Sequence, residues 1–273
     1  MNSENEYVLG THDDEITRLG LQHRAWRAIV AEAWQSAGIC SGQTVLDVGC
    51  GPGYASLDLA ETVGPQGRVE AIDKSERFLK ALEVMRSERG LDNINVHRAD
   101  LEADVFPNIR AHRVWCRWVL CFVRNPRELV AKMANSFESS GTIVIHEYFD
   151  YATWRGAPRC PEIEEFVRAV MSSWRATGGE PDIALQIPHW LEELELQLVH
   201  VRPIVNVVAP GSMLWSWLRR FIEVGRQQLV DLGYLQGARS EKIWDAFTAF
   251  ESAPQNRMVT PGVLEIIARR PPP

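Results

Sequence analysis

Val45-Leu46-Asp47-Val48-Gly49-Cys50-Gly51-Pro52-Gly53-Tyr54 is the stretch whose reading decides the fold. The apolar run TVLDV (44–48) ends in alternating glycines. A short aliphatic run bounded by turn residues reads as a buried strand. Residues 54–63 then have helical spacing, and Gly64-Pro65 breaks them. A strand, a glycine-rich turn and a helix in succession place the turn beyond the carboxyl end of the strand, where open α/β sheets bind ligands. Glycine at such a turn lets the backbone approach a ligand closely.

The same alternation continues outward. RVEAI (68–72) predicts a second strand, and 75–89 a helix with Phe78, Leu79, Leu82 and Met85 on one face, closed by Gly90. INVHR (94–98) reads as a third strand, and RVWCRWVLCFV (113–123) contains a fourth. Asn125-Pro126 opens a helix to about Phe137, and GTIVIHEYF (141–149) is a fifth strand. Such alternation predicts βαβ units and a parallel sheet covered on both faces. Upstream, Ile16, Leu19, Ala25, Trp26, Ile29, Val30, Ala33 and Trp34 mark an amphipathic helix over 13–37 that Gly38 stops. After residue 150 the pattern changes to helices over 161–176 and 182–196, strands over 197–208 and 262–270, and a mostly helical insert over 211–252. The expected organisation is one α/β domain over 1–273. It has a helical cap segment at 1–38, a cofactor-binding core at 39–150, cap insertions at 151–180 and 211–252, and a disordered PPP tail at 271–273.

Composition narrows the function. At roughly 150 residues per domain, 273 residues allow one or two domains, with ample core and no need of a disulfide or metal staple. A hydrophobic content of 45% with 24% charged residues is an ordinary globular mixture. The net charge of −7, without a basic cluster, argues against nucleic acid as a partner. Cysteines at 40, 50, 116, 121 and 160 show no CxxC spacing, so no zinc or other metal centre and no disulfide framework is expected. The acidic, polar N-terminus does not read as a signal peptide. No apolar run approaches the roughly 20 residues needed to span a bilayer. The expectation is a cytoplasmic protein with no membrane partner, whose oligomeric state stays open.

The ligand follows from the acids. A dinucleotide fingerprint needs GxGxxG, but here the glycines fall at 49, 51 and 53 and Tyr54 takes the last required place. Asp47, just before the turn, would repel a pyrophosphate and suits a cationic ammonium and sulfonium. S-adenosylmethionine carries both and no phosphate. Asp73 ends the second strand about 20 residues beyond Gly53, where an acid can accept two ribose hydroxyls. Asp73 or Ser75 could instead cap the next helix. Asp100 follows the third strand and can accept an adenine amino group, with Leu101 packing on the base.

This constellation resembles the class I S-adenosylmethionine-dependent methyltransferases over most of residues 40–150. The resemblance implies a Rossmann-like seven-stranded sheet with helices on both faces, whose last strand runs antiparallel beside the sixth. Residues 197–208 and 262–270 would supply that pair. It also implies that Asp47, Gly49, Cys50 and Gly51 hold the methionine portion. Asp73, with Lys74 and Phe78, would hold the ribose, and Asp100, with Leu101, the adenine. The segment Cys116-Arg117-Trp118-Val119-Leu120 would line the methionine and methyl side. A narrower resemblance, to bacterial small-molecule methyltransferases loosely similar to the quinone-biosynthesis enzymes, rests on three segments. They are Tyr7-Val8-Leu9-Gly10 with Glu15, Arg18-Leu19 and Gln22; His146-Glu147-Tyr148; and Pro181-Asp182-Ile183.

The fourth-strand segment RWVLCF lacks the Asn/Asp-Pro-Pro-aromatic loop that handles planar amino groups in DNA or protein. The expected acceptor is therefore a small molecule, methylated on oxygen, nitrogen or carbon by in-line displacement. His146, Glu147 and Tyr148 are the candidate bases. Strand alternation places His146 and Tyr148 on one face and Glu147 on the other, and a structural role for His146 and Glu147 is the alternative. Arg18 and Gln22, four apart on a helix, could reach the cofactor carboxylate or form a solvated face. Tyr7 and His12 could close over the cleft as a lid. The chain has 10 Trp against 5 Tyr, and Trp154, Trp174, Trp190, Trp215, Trp217 and Trp244 all follow residue 150. A Trp-rich cap suits a flat or apolar acceptor. The alternatives are an NAD-dependent oxidoreductase and a non-catalytic S-adenosylmethionine-binding protein.

Overall fold

The computed structural model describes residues 13–104 and 106–271. Tyr7, Val8, Leu9, Gly10, His12, Pro272 and Pro273, named above, lie outside the described residues. The elements run α1 (Asp13–Ser36), β1 (Thr44–Val48), α2 (Tyr54–Val63), β2 (Arg68–Asp73), α3 (Glu76–Glu88), β3 (Ile94–Arg98), β4 (Ala111–Arg117), α4 (Pro126–Asn135) and β5 (Phe137–Asp150). There follow β6 (Arg155–Ala157), α5 (Pro161–Ala176), α6 (Ile187–Glu193), β7 (Gln197–Ile204), β8 (Val207–Val208), α7 (Met213–Asp231), α8 (Gly237–Glu251), β9 (Arg257–Val259) and β10 (Gly262–Arg269).

Seven strands form one sheet in the order β3-β2-β1-β4-β5-β10-β7. β1 runs parallel to β2 and β4, β2 to β3, and β4 to β5. β10 lies antiparallel between β5 and β7. Val45, Leu46, Val48, Val69, Ala71, Ile72, Ile143, Val144 and Ile145 are fully buried, as a sheet covered on both faces requires. From β1 the chain builds outward through β2 and β3, then crosses to β4 on the other side. That reversal opens a crevice at the carboxyl ends of β1 and β4.

Three expectations change, and the fourth strand is bounded more closely. The helix expected over 182–196 is a 3-10 turn, Ile183–Gln186, followed by α6. Pro188 lacks an N–H and is accommodated only in the first turn of the new helix. The strand expected over 197–208 splits at Asn206, whose N–H donates to Thr260 Oγ1 (3.0 Å) while the Thr260 N–H donates back to its carbonyl (2.9 Å). This exchange turns β8 into a second, three-stranded sheet ordered β6-β9-β8, whose strands are too short to show a period. β4 stops at Arg117 because Trp118 takes φ 53°, which leads the chain out of the sheet. β5 starts earlier than expected, at Phe137.

α1 packs on α7, and α5 packs on α7 and α8. Ser212 caps α7 by accepting the Trp215 N–H (3.3 Å). Its apolar stripe of Trp217, Leu218, Phe221, Ile222 and Leu229 is buried. These helices close over the carboxyl edge of the main sheet.

Candidate functional site

The glycine turn is fixed from three sides. Gly49 has φ 68°, and a Cβ there would drive into the Val119 side chain. Gly51 has φ 55° and faces open space where a Cβ would stand. The Cys50 N–H donates to the Ile72 carbonyl (2.9 Å). The Asp73 carboxylate accepts from the N–H groups of Gly51 (2.9 Å) and Ser75 (2.8 Å). Ser75, not Asp73, caps α3 by accepting the Phe78 N–H (3.2 Å). Burial raises the Asp73 carboxyl above its ordinary range, against the pull of those backbone donors. Asp47 is buried and accepts from Ser56 Oγ (2.5 Å), and burial pushes its carboxyl up to about 6. Asp100 accepts the Glu102 N–H (2.9 Å) in the turn after β3, with Leu101 buried beside it.

A cavity of about 850 Å³ opens over these strand ends. Its walls bring together Asp47, Gly49, Cys50, Gly51, Asp73, Lys74, Phe78, Asp100, Leu101, Arg117, Trp118, Arg18, Gln22 and Tyr148. His146 and Glu147 stand outside it, which corrects the expectation that they touch the reacting atoms. The His146 ring is fully buried against Trp115 (centroids 5.0 Å), its Nε2 2.9 Å from Glu265 Oε2. Burial lowers its basicity despite Glu265. Glu147 is equally buried on the opposite face, accepting the N–H groups of Cys121 (3.2 Å) and Tyr148 (3.0 Å). Tyr148 shares the His146 face but lies two residues nearer the carboxyl end of β5, where the crevice opens.

Arg18 and Gln22 do not form a solvated face. Arg18 Nε and Nη2 each donate to Glu15 (2.7 Å), and Nη1 donates to Gln22 Oε1 (2.9 Å). The same Gln22 oxygen accepts from Trp217 Nε1 (3.0 Å), and the guanidinium lies over the Phe221 ring (5.2 Å). α7 therefore buries what an isolated helix would expose.

Sequence reasoning missed His23, which also lines the cavity. Its Nε2 lies 3.0 Å from Asp58 Oδ2, and Arg117 Nη2 lies 3.1 Å from its Nδ1. Arg117 can only donate, so Nδ1 accepts and the ring is neutral with its Nε2–H on Asp58. Burial lowers the basicity of His23 as well. The signal available was its place four residues after Leu19 on one helix face. Burial also pushes the Arg117 guanidinium down to about 10, so it stays charged at neutral pH. It lies over the Trp118 ring (4.9 Å). Arg117 Nη1 and Trp118 Nε1 are buried donors with no partner among the described residues.

Aromatic rings complete the wall. Trp118 is stacked between Tyr148 (5.4 Å, 14°) and Trp217 (5.8 Å, 15°), with Trp26 edge-on at 5.1 Å. Phe122 meets Trp174 at 4.6 Å. The tryptophans that line the cavity are Trp115 and Trp118 from β4 and its following turn, and Trp174 from α5. Trp154 and Trp215 are cap core, with Trp154 packed against Phe166 and Phe221 and Trp215 against Phe247. The Trp-rich stretch after residue 150 thus contributes one tryptophan, Trp174, to the wall. Nothing local marks Phe122, Trp174 or Phe221, because only the tertiary fold brings them together.

The donor set can be tested against S-adenosylmethionine. Acids at the ends of three strands match an ammonium, a ribose diol and an adenine amine, and Gly51 leaves a cradle that a Cβ would fill. Asp47 beneath the turn is wrong for a pyrophosphate. The residues present fit S-adenosylmethionine.

The sequence profile of a methyltransferase domain matches residues 45–141. Aklanonic acid methyltransferase DauC of Streptomyces sp. (strain C5) is 32% identical over 157 residues, which is 57% of this chain and 70% of DauC. The ubiquinone/menaquinone biosynthesis C-methyltransferase UbiE of Pseudomonas entomophila (strain L48) is 29% identical over 130 residues, 47% of this chain and 50% of UbiE, so the match spans about half of that relative's length. The structure of geranyl diphosphate C-methyltransferase from Streptomyces coelicolor A3(2) covers 91% of this chain and 77% of its own, with a TM-score of 0.55 at 15% identity, a likeness of fold. Sheet order, strand-end acids and the likeness to DauC agree, and the chain belongs to the class I S-adenosylmethionine-dependent small-molecule methyltransferases.

Proposed function

We propose that the cavity takes S-adenosylmethionine with its methionine end on Asp47 and the Gly49-Cys50-Gly51 turn, its ribose on Asp73 beside Lys74 and Phe78, and its adenine on Asp100 and Leu101. Arg18, Gln22 and Arg117 serve the methionine end, and Trp118 the methyl side. Bound there, the cofactor supplies an electrophilic methyl group on a sulfonium. The acceptor in this proposal is a flat, apolar molecule seated against Trp118, Tyr148, Trp174 and Phe122. One observation carries the reading: the aromatic wall and the glycine turn face the same cavity.

The chain's own contribution is alignment and exclusion of water. Burial holds the Tyr148 phenol well above its ordinary range. It therefore stays protonated and can donate a hydrogen bond to an acceptor oxygen rather than act as a base. Both His23 nitrogens are already engaged. Methyl-labelled S-adenosylmethionine incubated with a panel of hydroxylated polycyclic aromatics and a panel of aliphatic amines tests the reading. Transfer to aromatics supports it. Transfer confined to the amines would overturn the flat, apolar acceptor, and cofactor binding without transfer to any compound would favour a binding protein.

A further inference from the structure

We propose that Glu147 is a positioning residue: its carboxylate fixes the turn over residues 118–123 against the glycine turn, and so sets the wall at which the methyl group is transferred. The identity of that wall rests on the methyltransferase reading above.

Glu147 is fully buried and forms no ion pair among the described residues. A buried carboxylate without a cation is costly unless hydrogen bonds satisfy it. Here backbone donors do so from two directions. Oε2 accepts the Cys121 N–H from the turn (3.2 Å), and Oε1 accepts the N–H of Tyr148 on its own strand (3.0 Å). The turn needs such a tie, since it begins at Trp118 in the left-handed region, a strained conformation for a bulky residue. From the far side, the Glu180 N–H donates to the Cys121 carbonyl (3.0 Å). The consequences reach the site directly, because Val119 fills the space above Gly49 while Trp118 and Phe122 line the cavity. One carboxylate thus joins β5 to the turn, and the turn to Gly49.

This tie depends on ionisation. A carboxylate accepts both N–H groups, whereas a protonated carboxyl turns one oxygen into a donor and weakens one bond. The titratable groups that act on it are the thiols of Cys116 on β4 and Cys121, and the Tyr148 phenol, all held neutral by burial. Its cross-strand partner on β10 is Leu264, and the 3-10 turn packed on β5 buries only Ile183 and Ala184. Burial pushes the Glu147 carboxyl up to about 7.

The test labels the cysteine amides with 15N and follows Cys121 by NMR as pH is varied, beside calorimetry with S-adenosylhomocysteine. In the native sequence the Cys121 amide titrates with a midpoint near 7, and affinity is weaker on the acid side. In Glu147→Gln the side-chain amide opposes one N–H with another. Affinity there falls about tenfold at neutral to alkaline pH and loses the step centred near 7, keeping only the step near 6 that Asp47 imposes, and the Cys121 amide no longer titrates. A native Cys121 amide that does not titrate, or a folded Glu147→Gln protein that binds as tightly as the native one, overturns the proposal. If Glu147→Gln fails to fold, the native titration still decides. Native protein that binds no S-adenosylhomocysteine at any pH overturns the cofactor reading instead, and the Cys121 titration still decides whether Glu147 holds the turn.

Discussion

Asp73 joins the turn after β1 to the cap of α3 through the N–H groups of Gly51 and Ser75, and it lines the cavity. In the proposed site, replacing it with Ala removes charge-assisted bonds to a ribose and loosens the cradle as well. Asp73→Ala should lower S-adenosylhomocysteine affinity by about 3 kcal/mol, roughly 100-fold, in calorimetry. Unchanged affinity would remove Asp73 from the site. Single acids such as Asp47, Asp73 and Asp100 were legible because a strand end is a local feature of sequence. His146 was not, because alternation gives the face of a side chain and not its depth along the strand. At His146 the sheet is covered by Trp115, and the crevice begins only at Tyr148. Arg18 and Gln22 were half legible, since their spacing shows that they meet each other but not that α7 buries them.

Two ties hold α1 in place. Toward α2, Asp58 accepts from Arg27 Nε (2.7 Å) and lies 3.0 Å from His23 Nε2. Burial alone would raise the Asp58 carboxyl, but the hydrogen bonds from His23 and Arg27 outweigh it and hold it below the ordinary range. A depressed carboxyl contributes stability above its unfolded pKa, and that contribution is lost as pH falls through the folded value. Asp58→Asn should therefore cost about 1–3 kcal/mol in urea unfolding at neutral pH, with the difference from the native protein shrinking as pH falls below about 4. A difference that stays constant would show that the charge is not what matters. Toward α7, Trp217 stacks on Trp118, meets Trp26 edge-on at 5.4 Å and donates to Gln22. Trp217→Ala should cost about 3–5 kcal/mol, and Trp217→Phe about 1 kcal/mol for the lost hydrogen bond. A Trp217→Phe protein as stable as the native one would deny the bond any part. The long helices were readable from their period, and the buried strands from short apolar runs bounded by turn residues. The split at Asn206 and the sheet of β6, β9 and β8 were not, because two- and three-residue strands show no period and are made by pairing distant in sequence.

For the whole molecule, the sheet supplies the cofactor crevice and the helices supply its roof. The crevice follows from strand order; the alternating pattern of the first 150 residues implied the parallel sheet but not that order. The roof follows from how α1, α5 and α7 meet, and its chemistry is invisible until they do. Arg18 from α1, Trp174 from α5 and Phe221 from α7 reach one cavity from segments far apart in the chain. A ligand bridging sheet and roof binds only the folded state and stabilises the whole assembly by mass action. S-adenosylhomocysteine at 100 times its dissociation constant should add about 2.7 kcal/mol, raising the melting temperature by about 5 °C for a chain of this size. NAD under the same conditions should give no shift, since Asp47 opposes its pyrophosphate where the cofactor must lie. A shift with NAD and none with S-adenosylhomocysteine would mean that the glycine turn serves a dinucleotide after all.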